Sequence, residues 1–155
     1  MNVADLREEI AIELENLGLV VAEVRALRAE LGDREPSVRE KTAAAAFLAQ
    51  FYTGVENVLK RISRFCGVPL PTGENWHLDL FKRFCEPPHP PLPVLFDQSL
   101  ACSLSAYRRF RHVVHHGYGF QLEWERMRDG VLEVEALHDR LRSRLAEYVR
   151  GLETP

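Results

Sequence analysis

Apolar side chains return every three or four residues along almost the whole of this chain, and no useful stretch alternates at the period of two that a half-buried strand needs. The first stretch is the clearest. Ile10, Leu14, Leu17, Val21, Val24 and Leu31 follow spacings of four and three, with Glu, Arg and Asn filling much of the remainder. At ~1.5 Å per residue, Ala4 to Leu31 predicts a helix of roughly 40 Å. Gly32-Asp33 stops it, and Pro36 precedes a fresh start at Ser37-Val38-Arg39-Glu40. There the serine and the glutamate are spaced to satisfy each other's free backbone amides.

A second helix is expected from Ser37 to Phe65, with Phe47, Phe51, Val55, Val58, Leu59 and Ile62 as its apolar stripe and Gly67 ending it. A polar loop from Pro69 to Asn75 leads into a brief segment, Trp76 to Cys85. Pro87, Pro88, Pro90, Pro91 and Pro93 then predict a stiff extended connector, since such a run suits neither helix nor inner strand. A third long helix should cover Leu95 to His116, carrying Leu100, Leu104, Tyr107, Phe110, Val113 and Val114, until Gly117-Tyr118-Gly119 breaks it. The last, Gln121 to Arg150, turns Val134, Leu137, Leu141, Leu145 and Tyr148 inward. Gly130 lies within it at a cost of about 1 kcal/mol, which marks a kink or a late start. The expected fold is all-α: one domain over residues 1–155, an up-and-down antiparallel bundle of four long helices and one short one.

Hydrophobic residues at 46% and charged residues at 28% exclude a disordered chain. A formal charge of −3 excludes a protein that grips nucleic acid over its whole surface, but leaves room for a local basic site. The three cysteines, Cys66, Cys85 and Cys102, are far apart and form no C-x-x-C, so they suggest neither a disulfide framework nor a zinc site and read as small buried hydrophobes. The acidic start and the lack of a long apolar run predict a soluble, cytoplasmic protein with no membrane segment.

One region departs from the rest. Gln98 to Leu122 contains no acid, in a chain that has 23. Within it, Arg108, Arg109, Arg111, His112, His115 and His116 fall inside one short run, and Arg108, Arg111, His112 and His115 share a helix face. Like charges so gathered repel one another, and an anionic ligand accounts for them better than stability does. The bland alternative is a solvated face whose charges pair with the Glu-rich first and last helices. A metal site on His112 with His115 or His116 is disfavoured, because the arginines repel a cation and no acid completes the set; neither metal nor cofactor is expected. Arg111 and His116 suit a sharper task. Cleaving RNA through its own 2′-hydroxyl needs a group that moves protons near neutral pH and a fixed cation beside the phosphoryl oxygens. Five residues place the two side chains ~140° apart on an ideal helix. A helix end that turns at Gly117, or a two-fold partner supplying the facing pair, would bring the functions together.

Arg111-His112-Val113-Val114-His115-His116-Gly117-Tyr118 follows the pattern R-x-x-x-x-H-x-Y and resembles the signature of the HepT-like toxins of the HEPN (higher eukaryote and prokaryote nucleotide-binding) family. Phe51 to Leu59 with Ile62 resembles that family's second-helix stretch, and Asn75 to Phe81 a connecting segment of one branch. The resemblance implies a toxin–antitoxin component: a metal-independent endoribonuclease whose homodimer gathers two pairs of catalytic Arg111 and His116 in one cleft. Arg108, His112 and His115 are then left to bind RNA phosphate. It also implies a minimal nucleotidyltransferase antitoxin as partner, with Tyr118 as the acceptor of AMP. Many relatives carry Asn where this chain has His112, which leaves the proton transfer open to His112 or His115 as well. The alternatives are a non-catalytic, nucleotide-binding or substrate-presenting partner of a nucleotidyltransferase, and a structural bundle subunit. Blander readings hold elsewhere: Glu56 as an exposed helical acid or an arginine contact, His77 as a packed loop anchor, and Tyr107 and Phe110 as core.

Overall fold

Three of the long helices begin where a side chain can hold the amides that a first turn leaves free. In the computed structural model, which describes residues 1–154, α1 (Val3–Leu31) follows Asn2, whose Oδ1 accepts from the Asp5 amide at 2.9 Å while Asp5 accepts from the Asn2 amide at 3.0 Å. α2 (Val38–Phe65) opens on the expected Ser37–Glu40 exchange, at 3.2 and 2.9 Å. α3 (Trp76–Lys82) is short. α4 (Gln98–His116) starts at Asp97, whose Oδ1 accepts from the Leu100 amide at 2.7 Å. A 3-10 turn, Gly119–Gln121, leads to α5 (Trp124–Glu153).

Cross-helix contacts fix the directions. Arg61 of α2 reaches Glu9 and Glu13 of α1, Arg111 of α4 reaches Thr53 of α2, Tyr107 of α4 reaches Gly130 of α5, and Glu153 of α5 returns to Arg7 of α1. Second contacts give the sense: Leu17 meets Gly54 where Glu9 and Glu13 meet Arg61, Arg25 meets Glu135 where Arg7 meets Glu153, and Ser99 meets Arg140 where Tyr107 meets Gly130, so the four long helices run up, down, up and down. α2 touches every other helix and buries most of its length, from Ala44 to Ser63. It lies close against α1 at Gly54, where a Cβ would stand 2.4 Å from Leu17 Cδ2. Glycine admits the leucine there.

Several boundaries differ from the sequence reading. Leu95 and Phe96 precede α4 instead of starting it, because both of their amides bond to the Phe84 carbonyl, at 2.9 and 3.1 Å, and both side chains are buried. Those bonds also close the proline segment on itself: the chain leaves Phe84 and comes back to it, with Leu92 buried between, so the connector is a packed loop and not an extended spacer. α5 starts at Trp124, because the preceding residues are taken up by the 3-10 turn, and it is continuous across Gly130, whose carbonyl accepts from Tyr107 Oη at 2.7 Å. Tyr107 is buried and Phe110 packs against the core, as expected, whereas Val113 is exposed. Cys66 and Cys85 are half-buried and Cys102 is exposed, so the last is no core residue. Among the described residues no helix is long and apolar enough to cross a membrane.

The start of α2 carries a pH dependence. Arg34 grips both oxygens of Glu40 at 2.8 Å. That guanidinium, and after it the Ser37 amide, hold the Glu40 carboxyl down at about 2. A carboxylate more acidic folded than unfolded stabilises the fold above its unfolded value, ~4.5, and loses that contribution as pH falls toward 2. Glu40→Gln should therefore melt below the wild type at pH 7, with the difference closing by pH 2. Calorimetric melts of both proteins across that range check it.

Candidate functional site

α4 carries its arginines where α2 can hold some of them and solvent reaches the rest. Arg111 is half-buried, and its Nε donates to Thr53 Oγ1 at 2.9 Å, while the Thr53 hydroxyl donates to the Ala49 carbonyl at 3.1 Å. The threonine is thus committed on both sides and fixes one edge of the guanidinium, leaving the other nitrogens without a partner among the described residues. Arg108 is also half-buried, with its Nε out of contact with solvent and unpaired. Below them, Tyr52 is fully buried and its hydroxyl has no partner. Burial, and then the Glu56 charge, push that phenol's pKa well up, against the pull of Arg108 and Arg111.

These groups line a cleft of 820 Å³ between α4 and the segment Gly73 to Leu78. Arg108, Arg111, His112, His115 and His116 all border it, and Arg109 joins them. Glu74 is the one acid in its lining, and none of the ion pairs among the described residues involves a cation of α4. Two acids of α1, Glu9 and Glu13, are taken by Arg61 at 2.9 and 2.7 Å. A cavity of 940 Å³ lies beside the α1–α2 turn and the start of α5, but it mixes charges of both signs and Arg34 within it is already held by Glu40. Convergent, unpaired cations distinguish the smaller cleft, and they suit a phosphate or another anion. Among the described residues no group of three or more His, Cys, Asp or Glu side chains is placed to hold a metal ion.

Arg111 and His116 share the cleft without forming a pair. α4 stays helical through His116, and Gly117 continues as ordinary extended chain (φ −123°), so no distortion turns the histidine back toward the arginine. His116 instead lies against His112, with ring centroids 4.3 Å apart. Tyr118 lies beyond the helix end, outside the cleft lining, with its ring stacked on Phe120 at 5.4 Å and 68% exposed. Gly119 seats this turn on α2: a Cβ there would meet Thr42 Oγ1 at 2.2 Å. Lys41 also donates to the Leu122 carbonyl at 3.2 Å.

Two expectations need correcting. Glu56 is neither exposed nor on an arginine. It is 2% exposed, and its carboxylate is hydrogen-bonded to His77 Nδ1. His77 belongs to α3 and not to a loop, stacks on Trp76 at 3.6 Å and borders the cleft. The sequence signal for Glu56 was its register: Tyr52, Glu56, Leu59 and Ser63 follow helical spacing on a buried face of α2. For Thr53 no such signal exists.

A family model described as "HepT-like protein" matches residues 43–152. That span takes in most of α2, all of α3 and α4, and nearly all of α5. No curated protein and no solved structure matches the chain.

An anion that occupies the cleft stabilises the fold it binds. At 50 mM, inorganic phosphate binding with a Kd near 10 mM is worth about 1 kcal/mol, which raises the melting temperature of a chain this size by about 2–4 °C over chloride of equal ionic strength. The rise should fall by at least half in Arg108→Gln and in Arg111→Gln, as read by differential scanning fluorimetry.

Proposed function

This chain belongs to the HepT-like family, and from that premise we propose that it is the toxin of a toxin–antitoxin pair and acts as a metal-independent endoribonuclease. The observation that carries the reading is the cleft itself: three arginines and three histidines of α4 converge on it with no ion pair among them. RNA phosphate is the ligand proposed for it, with Arg108, His112 and His115 as phosphate contacts. Arg111, held by Thr53, keeps a fixed positive charge beside the phosphoryl oxygens as charge builds there. His116 moves a proton as the 2′-oxygen attacks phosphorus and the 5′-oxygen departs, which leaves a 2′,3′-cyclic phosphate.

A homodimer completes this site. Within one chain Arg111 and His116 project apart on a regular helix, so a two-fold mate supplies the facing group. Val113, one turn before His116 and 55% exposed, adds an apolar spot on that face. Arg111→Ala and His116→Ala should each lower RNA cleavage by about 10²–10⁴-fold in a well-folded protein, with cleavage by the wild type persisting in EDTA. Mixing the two inactive variants should restore part of the activity, because one of the two composite sites in a mixed dimer keeps both groups. Gel assays on fluorescent RNA give all three readouts.

Control is proposed to fall on Tyr118, acting with a minimal nucleotidyltransferase antitoxin. The phenol is exposed just past the helix end, where another enzyme can reach it. An AMP group attached there would add phosphate charge near the α4 cations, which would hold it by charge-assisted hydrogen bonds and so deny RNA their field. Tyr118→Phe should remain an active nuclease yet resist silencing by the co-expressed partner. Intact-mass spectrometry should show one or more AMP additions on the wild type and none on the variant; silencing of the wild type without added mass would make inhibition a matter of binding alone.

A further inference from the structure

Cleaving RNA through its 2′-hydroxyl moves two protons. One leaves the attacking 2′-oxygen as the O2′–P bond forms, and one reaches the departing 5′-oxygen as the P–O5′ bond breaks. His116 can serve one of these at a time, and the other groups named for proton transfer, His112 and His115, stand with it on α4.

The opposite wall of the cleft holds a histidine with the features of a proton acceptor. His77 Nδ1 is hydrogen-bonded to Glu56, a carboxylate buried to 2% exposure on α2. Trp76 stacks on the imidazole at 3.6 Å, and Lys60 stands 4.6 Å from the Trp76 ring, so the ring is fixed on its face as well as at one nitrogen. His77 Nε2 makes no hydrogen bond and is not sealed from solvent, although the side chain is only 32% exposed. A carboxylate that binds one imidazole nitrogen sets the tautomer with the proton on that nitrogen and stabilises the imidazolium formed when the other nitrogen takes a proton. A buried acid is costly to keep without a partner. Packing alone would be met by an apolar residue at position 56, so the pairing points to a use.

We propose that His77 is a catalytic general base of the cleft, taking the 2′-hydroxyl proton at Nε2, with Glu56 as its positioning residue and His116 as the acid that protonates the 5′-oxygen. This rests on the ribonuclease reading above. Atoms balance without a further reactant: the substrate gives one proton to His77, receives one from His116, and ends as a 2′,3′-cyclic phosphate and a free 5′-hydroxyl. The charges facing His77 are Glu56 and Lys60 on α2, Glu74 ahead of α3, and the arginines and histidines of α4.

The test follows kcat/KM for RNA cleavage against pH in the full-length protein, with circular dichroism to establish folding. His77→Ala should lose about 10²–10⁴-fold, should lose the rising acid-side limb of the profile, and should regain activity with added imidazole, while RNA affinity stays within about threefold. Glu56→Gln should move that limb to lower pH, because the imidazolium loses its carboxylate, and should lower activity at pH 7 by about 10-fold or more. Independently of activity, 15N NMR should show the neutral His77 ring carrying its proton on Nδ1. Unchanged limbs in a folded His77→Ala, or loss of activity that imidazole does not rescue, would make His77 structural and overturn the assignment. A neutral ring protonated on Nε2 would overturn it too. If the wild type cleaves no RNA while His77 keeps the stated tautomer, the ribonuclease reading fails first and the base role fails with it.

Discussion

A helix that touches every other helix has little free surface on which to place polar groups, so those on its buried faces are costly unless another element holds them. α2 is in that position. Its contact with α1 is tightened by Gly54, which lets Leu17 approach, and its remaining faces meet α3, α4, α5 and the turn after α4. Three of its polar side chains point toward the cleft side: Thr53 takes the Nε of Arg111, Glu56 takes the imidazole of His77, and Tyr52 lies buried with its hydroxyl unpaired. The site is therefore assembled from the demands of a buried helix as much as from the residues of α4. Shift α2 by a turn and the arginine and the histidine both lose their anchors.

This explains which parts of the protein the sequence disclosed. The four long helices were legible because their apolar stripes are long enough for the period to be unmistakable, and the Ser37–Glu40 exchange was legible because it is local. The α4 cations stood out because an acid-free stretch is unusual in an acidic chain. The start of α4 was not legible, since Leu95 and Phe96 fit a helical stripe but give their amides to Phe84, a choice made by packing across the proline loop. The Glu56–His77 pairing was hidden for a related reason. It joins residues 21 apart on two helices, and helical spacing can announce that Glu56 faces inward but not what it meets. Thr53 gave no warning, because a threonine that bonds its own helix and one that receives an arginine look the same in a sequence; this one does both.

The division of the chain by the family match carries the same physical sense. The match begins at residue 43, inside α2, and leaves out α1. α1 packs against α2 and α5 and has no residue in the cleft lining. Two of its acids, Glu9 and Glu13, pair with Arg61, while among the described residues the arginines of α4 form no ion pair. Had those acids faced α4, they would have neutralised the cluster and left the cleft with no net attraction for an anion. Placing α1 on the far side of α2 closes the bundle and keeps the acid-rich helix from the cationic one. The separation costs stability, since like charges crowd together on α4 without relief. A cleft proposed to hold phosphate can use that unrelieved charge, because the ligand then supplies the counter-charge the fold withholds.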